Sequence, residues 1–359
     1  MAVRPQKYPS VRVGQMKRAV ILGGTGVLGR AIAWRLIRAG WAVDMTGRDR
    51  TKMPADLAAA GARFIAAERR DDAALAGVMA GGADLLVDAV CYTDADARQL
   101  LPHLAAVTSA VMLSSKAVYV DAAGNHVNSD VAPRFDAPIL ENNPTMRPGT
   151  GDYQSREGYG ANKVAAENTL LGSGHPVTVI RASKVHGEGA ALPREWMFVK
   201  RVLDRRPAVF LAHAGQGADH TTAAVNTAAL VERVAAVPAA RILNSADPDA
   251  PNARQIAAAI ARYLGHHWEE VLLDDSAPVG LGDHPWDFRP PLVLSTKASL
   301  DLAYEPVGTY AQTIPHQVDW LVKAAAAGAM PGTGDPSLKH YLDYSREEQF
   351  TAGSALRAR

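Results

Sequence analysis

The chain has 359 residues, which is enough for one large α/β domain with an appended lobe or for two domains. Lys and Arg number 38 and Asp and Glu number 37, so the net charge of +1 argues against nucleic acid or an anionic membrane and favours a small-molecule partner. The single cysteine, Cys91, excludes an internal disulfide, and with no run of about 18 apolar residues it predicts a cytoplasmic protein without a membrane partner.

Residues 1–16 carry three basic side chains but no apolar core of the kind that a signal peptide needs. They are predicted to be a flexible N-terminal arm or the result of an alternative start. Beyond them, short β-type runs alternate with helical patterns, which predicts βαβ units and a doubly wound parallel α/β sheet of the Rossmann type. The runs cover residues 18–22, 42–46, 63–66, 85–90, 110–113 and 177–180.

The pattern is less regular after Gly187. Residues 188–220 have no clear period, 223–240 and 252–265 are helical, 241–246 are strand-like, and a last long helix covers 309–325. Ser345 and Glu348 have capping-box spacing and predict a short terminal helix. The predicted divisions are a Rossmann domain at 17–187 that also receives part of 223–250, a smaller α/β substrate lobe of 188–222 and 251–330, and a C-terminal tail at 331–359.

Gly23, Gly26 and Gly29 follow one another at a three-residue spacing where the first predicted strand turns into a helix over 27–39. Glycines let the backbone turn and approach a pyrophosphate closely, while the free N–H groups and the dipole of the helix face its charge. A tight turn without a ligand is the alternative, but the flanking strand and helix favour a dinucleotide site. The residues predicted to bind the dinucleotide here are Gly23, Thr25, Gly26, Val27, Leu28 and Gly29.

The second predicted strand ends at Gly47 and Arg48, where an NAD site often has a carboxylate for the ribose 2′-hydroxyl. A glycine removes repulsion toward a 2′-phosphate, and an arginine binds that phosphate with two hydrogen bonds. NADP(H) is therefore favoured and NAD(H) stays possible, with a solvated turn arginine as the alternative role of Arg48. Asp44 is expected to be internal to the strand. Glu68 and Arg69, after the third strand, are weaker candidates at the adenine edge.

Tyr159 and Lys163 are four residues apart in a helical pattern and therefore share one helix face. A tyrosine hydroxyl, whose ordinary pKa is about 10, acts as acid or base toward a carbonyl or alcohol when a nearby cation stabilises its anion. Ser115 ends a β-type run at the sheet edge where such folds bind ligands, and its hydroxyl can donate to a substrate oxygen. These three residues predict a catalytic group.

The chain resembles the short-chain dehydrogenase/reductase superfamily, most closely its extended branch of nucleotide-sugar epimerases, dehydratases and related reductases. The motifs GGTGVLG, SSKAVY, YGANK and VIRASKVHGEG stand in that family's order, and the resemblance covers residues 17–325. It implies that Ser115 is the catalytic serine, that Tyr159 is the general acid/base, and that Lys163 binds the nicotinamide ribose and lowers the tyrosine pKa. It also makes a homodimer through a four-helix bundle plausible.

Several positions depart from the pattern of that family. Lys116 and Ala117 follow Ser115 where dehydratases have Asp-Glu, which argues against dehydration. Lys184 and His186 stand where epimerases usually have asparagine and tyrosine, which argues against a nucleotide-sugar substrate. No metal site is predicted, because the histidine spacing matches no compact zinc pattern. The predicted substrate contacts, for which packing is the alternative role, are Lys184, His186, Arg194, Trp196 and His220.

The sequence thus predicts an NADP(H)-dependent oxidoreductase that interconverts a ketone and a secondary alcohol on a sugar-like or secondary-metabolite substrate. One alternative is a sugar epimerase that oxidises and re-reduces its substrate without net use of NAD(P)(H). The other is a non-catalytic dinucleotide-binding protein with a regulatory or RNA-associated role. Such proteins often lose the catalytic tyrosine and lysine or are strongly basic, whereas this chain keeps Tyr159 and Lys163 and is nearly neutral.

Overall fold

The structure, a computed structural model, describes residues 16–329 and 335–357. Of the predicted N-terminal arm, only Met16 lies in this part of the chain. The strands are β1 (Arg18–Leu22), β2 (Ala42–Gly47), β3 (Arg63–Ala66), β4 (Ala83–Asp88), β5 (Val107–Ser115), β6 (Val177–Ala182), β7 (Lys184–His186), β8 (Ala208–Leu211), β9 (Thr221–Ala223), β10 (Arg241–Ser245) and β11 (Glu269–Leu272). The helices are α1 (Val27–Arg38), α2 (Ala55–Ala59), α3 (Asp72–Met79), α4 (Asp94–Leu104), α5 (Arg156–Leu171), α6 (Trp196–Leu203), α7 (Ala224–Ala236), α8 (Ala253–Tyr263), α9 (Lys297–Leu300), α10 (Tyr310–Ala326), α11 (Pro336–Leu342) and α12 (Ser345–Arg357).

Seven strands form one parallel sheet in the order β10-β6-β5-β4-β1-β2-β3. The strand order reverses between β1 and β4, so this sheet confirms the predicted doubly wound fold. The register pairs Ala19 with Leu85 and Leu22 with Asp88, which brings the carboxyl ends of β1 and β4 to the same edge. That edge is where folds of this class bind ligands.

Both faces of the sheet are covered by helices, which explains why the strands are nearly continuous apolar runs. Helices α1 and α7 cover one face, where Ile32, Leu36 and Val231 are fully buried. Helices α3, α4 and α5 cover the other face with residues that include Leu75 and Leu100. The alternating strands and helices predicted for the first half of the chain therefore correspond to one buried sheet between two helical layers.

The residues after β6 build a second cluster around aromatic side chains. Trp196 and Phe198 of α6 pack with Trp286 and with apolar residues of α8 and α10. Two short parallel pairs, β8 with β11 and β7 with β9, complete this region. Helix α7 and strand β10 return to the main sheet, and β10 is its edge strand next to β6.

The C-terminal region differs from the prediction in its local detail. The N–H of Ser345 donates to Asp343 Oδ1 at 2.9 Å, and the N–H of Glu348 donates to the Tyr344 carbonyl. Ser345 is therefore the first residue of α12 and not its cap, and the predicted capping box is wrong. None of the helices in the two described ranges is long and apolar enough to cross a membrane.

Candidate active site

The glycine loop follows β1 and is shaped by close backbone approaches. Gly23 has a φ of +77°, which favours glycine, and the N–H of Gly24 donates to the Thr46 carbonyl at 2.9 Å. A Cβ at Gly29 would lie only 2.6 Å from the Gly23 carbonyl oxygen and 2.7 Å from the Gly24 Cα. Gly23 and Gly29 must therefore both be glycine for α1 to pack close to β1.

The N-terminus of α1 is open to an anion. The N-cap residue is Gly26, which has no side chain to accept a hydrogen bond, and the first turn has no acidic residue. Counting from the start of α1, Arg30 is the first residue whose N–H has a backbone partner, and it donates to the Gly26 carbonyl. The N–H groups of Val27 and Leu28 are thus left for a phosphate, so the loop residues fit the pyrophosphate of a dinucleotide.

The end of β2 is followed by an exposed arginine, Arg48, and is flanked by two aspartates. Asp44 is buried inside the strand, as expected, and accepts hydrogen bonds from Arg18 and Arg63. Burial raises the pKa of Asp44, but the bonds to Arg63 and Arg18 outweigh burial and hold it below its usual range. Asp49 accepts from the N–H and hydroxyl of Thr51. Arg48 is exposed and makes no hydrogen bond or ion pair within residues 16–329 and 335–357.

The structure corrects the predicted role of Arg69. Its side chain is only 8% exposed and donates to Asp88 Oδ2 at 2.7 Å and to the Asp96 carbonyl at 2.6 Å. A guanidinium held in this way ties the end of β4 to α4 and is not available at the adenine edge. Glu68 is exposed on the preceding turn, and its carboxylate accepts weakly from the N–H of Arg70 at 3.4 Å.

A cavity of about 490 Å³ at the carboxyl edge of the sheet brings the predicted catalytic residues together. Ser115 ends β5, whereas Tyr159 and Lys163 lie one turn apart on α5, and all three line the cavity. Leu28 of α1 lies on the same wall. The cavity therefore joins the dinucleotide loop to a serine, a tyrosine and a lysine.

Backbone groups fix two of the catalytic side chains. The Oγ of Ser115 accepts from the N–H of Ala117 at 3.2 Å. The Lys163 ammonium is buried and donates to the carbonyls of Cys91 at 2.7 Å and Leu113 at 3.0 Å. An ammonium has three donors, so one remains for a ligand in the cavity.

The pKa of Tyr159 is raised, which is opposite to the expected effect of Lys163. Burial disfavours the phenolate and is the larger cause, while the nearby Ser115 hydroxyl acts in the lowering direction. The Lys163 ammonium lies 6.0 Å from the centre of the Tyr159 ring but only 4.5 Å from that of Tyr92. In this structure Tyr159 is thus a protonated phenol near neutral pH, ready to donate its proton.

The model of the NAD dependent epimerase/dehydratase family matches residues 19–218 of the chain. The chain belongs to this family. No curated protein matches it by sequence. Among solved structures, it is similar to dTDP-glucose 4,6-dehydratase of Bacillus anthracis in complex with NAD, with 13% identity, a TM-score of 0.64 and coverage of 86% of this chain and 98% of the other. It is also similar to Thermus thermophilus UDP-glucose 4-epimerase in complex with NAD, with 17% identity, a TM-score of 0.62 and coverage of 84% and 98%.

These identities are too low to transfer a reaction, and they establish the fold alone. The family membership rests on the match to the family model, which covers more than half of the chain. Within that family, the features that separate this member from others must be found in its own cavity.

Two of the five predicted substrate contacts line the catalytic cavity, namely Lys184 and Arg194. The other three are core residues, which corrects the prediction for them. His186 is bonded to Asp247 at 3.0 Å and is 1% exposed. The side chain of Trp196 is buried in the cluster of the second lobe, and the ring of His220 is held between the Asp247 carbonyl and the N–H of Leu294.

The structure adds cavity residues that sequence patterns did not identify. Tyr92 lies just after β4, where a strand-end position could have been a signal, and its ring stacks on Tyr153 at 5.3 Å. Lys116 had attracted attention only as a departure from the dehydratase pattern. Asp219 and Phe288, which lie in irregular segments, carried no signal before the fold was known.

Proposed function

We propose that this member of the NAD dependent epimerase/dehydratase family is an NADP(H)-dependent oxidoreductase that interconverts a ketone and a secondary alcohol on a small, sugar-like or secondary-metabolite substrate. The observation that carries the proposal is the convergence of Ser115, Tyr159 and Lys163 on one cavity beside the glycine loop. Its volume of about 490 Å³ lies within the range of small-molecule sites.

In the reductive direction, each catalytic residue acts on the carbonyl group of the substrate. When bound, the nicotinamide supplies the hydride that adds to the carbonyl carbon. The Ser115 hydroxyl donates a hydrogen bond to the carbonyl oxygen, and Tyr159 delivers its proton to the same oxygen as negative charge develops there. The phenol of Tyr159, whose pKa burial raises, carries its proton at neutral pH, as a proton donor in the reductive direction must. Lys163 would hold the ribose hydroxyls of the cofactor.

The end of β2 supports NADP(H) over NAD(H). Of the two carboxylates that flank Gly47 and Arg48 in the sequence, Asp44 is buried and bonded to Arg18 and Arg63, and Asp49 accepts at Oδ1 from Thr51. Asp44 is therefore not available to a ribose 2′-hydroxyl. The exposed guanidinium of Arg48, which has no partner among the described residues, suits a 2′-phosphate.

The test is Tyr159→Phe assayed for NADPH oxidation with a panel of ketones and sugar-like carbonyl compounds. The wild type is expected to oxidise NADPH with at least one of them, and the variant is expected to lose turnover while its affinity for NADPH stays within a few-fold. Unchanged turnover in the variant would refute the role of Tyr159. Tyr153→Phe is a matched control, because Tyr153 stacks on Tyr92 but does not line the cavity.

Epimerisation is the second candidate, since the same three residues can oxidise and then re-reduce one carbon. The similarity to solved epimerases, including the UDP-glucose 4-epimerase of Thermotoga maritima, favours testing it. An epimerase changes the configuration of its substrate with no net change in nicotinamide absorbance. Product analysis of reactions in which the absorbance stays constant therefore separates the two activities.

A further inference from the structure

Three cationic side chains from separate parts of the chain meet on the substrate side of the cavity. Lys116 follows β5, Lys184 begins β7, and Arg194 precedes α6, yet all three line the same cavity as Tyr159. We refer to Lys116, Lys184 and Arg194 as the cation cluster. Its position next to the catalytic residues is not required by the hydride-transfer chemistry, so it calls for a separate function.

A single carboxylate accompanies the cation cluster. Asp219 forms ion pairs with the ammonium groups of both Lys116 and Lys184, the latter at 2.8 Å. The Lys184 ammonium also donates to the Pro285 carbonyl. The side chain of Arg194 makes no hydrogen bond or ion pair with any residue in the described part of the chain. Asp219 is thus the one carboxylate among the residues that line the cavity, beside the three basic side chains of the cation cluster.

The neighbouring acid, Glu195, does not restore the balance inside the cavity. Its side chain is buried and accepts a hydrogen bond from Gln317 Nε2 at 2.9 Å, and Glu195 does not line the cavity. Buried cations without full compensation are costly. In agreement, burial holds the pKa of Lys116 and of Lys184 well below the usual range, and the charge of Arg194 acts in the same direction.

We infer that the cation cluster binds an anionic group of the substrate, a carboxylate or a phosphate monoester. Such a group supplies the charge that the protein lacks, and the guanidinium of Arg194 offers it two parallel hydrogen bonds. A neutral sugar would enter the same cavity without compensating the cations. The inference rests on the proposed function, because it assigns a substrate class to the cavity in which the reaction takes place.

The experiment measures anion binding to the protein saturated with the oxidised cofactor. The protein groups that hold the cofactor's phosphates are then already occupied and cannot bind the added anion. Calorimetric titrations at constant ionic strength use inorganic phosphate, D-glucose 6-phosphate, D-gluconate and neutral D-glucose. The two hexose anions distinguish a phosphate from a carboxylate, and D-glucose measures binding without charge. The variant is Arg194→Gln, which removes no hydrogen bond or ion pair among the described residues. The control is Arg98→Gln, whose exposed side chain pairs with Asp94 outside the cavity.

The expected result is that inorganic phosphate or one of the hexose anions binds the wild type and Arg98→Gln equally, with D-glucose much weaker. Arg194→Gln is expected to weaken that binding roughly tenfold, the effect of one charge-assisted hydrogen-bonding group. Equal binding by Arg194→Gln, or tighter binding of D-glucose than of all three anions, overturns the inference. So does the absence of binding by every anion.

A second variant keeps the test decisive if Arg194→Gln is unstable. Lys184→Met leaves Asp219 paired with Lys116 and removes one positive charge from the same wall. It should weaken anion binding while its melting temperature shows that the chain is folded. Failure of the proposed function would be seen separately, as a lack of cofactor binding or of turnover that depends on Tyr159, and neither outcome depends on the anion titrations.

Discussion

The preference for NADP(H) makes a sharp prediction at Arg48. Replacing Arg48 by Gln removes the guanidinium but keeps a polar side chain of similar length. Arg48 is exposed and has no partner within the described residues, so the change should leave the stability of the protein nearly unaffected. Its whole effect is then expected on the bound cofactor.

The magnitude follows from the contact that is lost. A hydrogen bond to a charged group contributes about 1.5–3 kcal/mol. Because the end of β2 is open to solvent, a value near the lower limit applies, which corresponds to a roughly tenfold increase in the Kd for NADPH. The Kd for NADH should not change, since NADH has no 2′-phosphate. Calorimetric titration of both cofactors into the wild type and the variant measures the difference.

A neighbouring arginine provides the control for this prediction. Arg50 lies two residues along, but its guanidinium is placed over the Phe64 ring at 5.5 Å and donates to the Phe64 carbonyl. Arg50→Gln therefore lowers the local positive charge without removing the proposed phosphate ligand, and it should change the NADPH affinity much less. If Arg48→Gln weakens NADPH and NADH equally, or if the wild type prefers NADH, the assignment of Arg48 is refuted.

Two further predictions concern the loop and the core. Gly29→Ala forces a Cβ into the Gly23 carbonyl, so it should lower the free energy of unfolding in urea by about 1–3 kcal/mol and weaken dinucleotide binding. The control is Gly77→Ala in α3, where a Cβ would enter open space and neither effect is expected. Equal effects of the two substitutions would contradict the packing argument. For His186, burial lowers the pKa, but the hydrogen bond and charge of Asp247 outweigh it and the pKa is raised. The pair therefore stabilises the fold fully below the unfolded histidine pKa of about 6.5 and less as pH rises through the folded value. His186→Asn should reduce the decrease in the free energy of unfolding, measured in urea, as the pH is raised from about 6 to 9. Parallel plots of that free energy against pH for the wild type and the variant would contradict the prediction.

The sheet and the catalytic group were predictable because their signals are local. Each parallel strand is buried on both faces, so it is a short apolar run with a turn at its end, and β1 and β3 coincide with the predicted residues. Tyr159 and Lys163 share a helix face by their spacing alone. Ser115 could be placed at the carboxyl edge because it ends a strand, and the sheet topology then brings that edge to α5.

The substrate side was not predictable to the same degree, because burial there depends on distant partners. Nothing near His186 in the sequence indicates that Asp247 will pair with it, and Arg69 is likewise taken up by Asp88 and the Asp96 carbonyl. An isolated histidine or arginine has the same sequence signal whether it faces a ligand or a buried carboxylate. Only the packing decides which of the two the side chain faces. Errors in prediction from the sequence are therefore expected at positions of this kind.

The same dependence on packing gives the substitutions at 116 and 184 a joint meaning. Considered singly, each lysine only weakens the likeness to dehydratases or to nucleotide-sugar epimerases. In the fold both ammonium groups reach Asp219, and the guanidinium of Arg194 lines the same cavity with no hydrogen bond or ion pair to the residues that the structure describes. One carboxylate does not balance three cations. The roles of the catalytic residues and of the cation cluster can thus be separated by experiment. Tyr159→Phe should remove turnover but keep anion binding. Arg194→Gln should weaken binding of the substrate and leave the affinity for the cofactor unchanged.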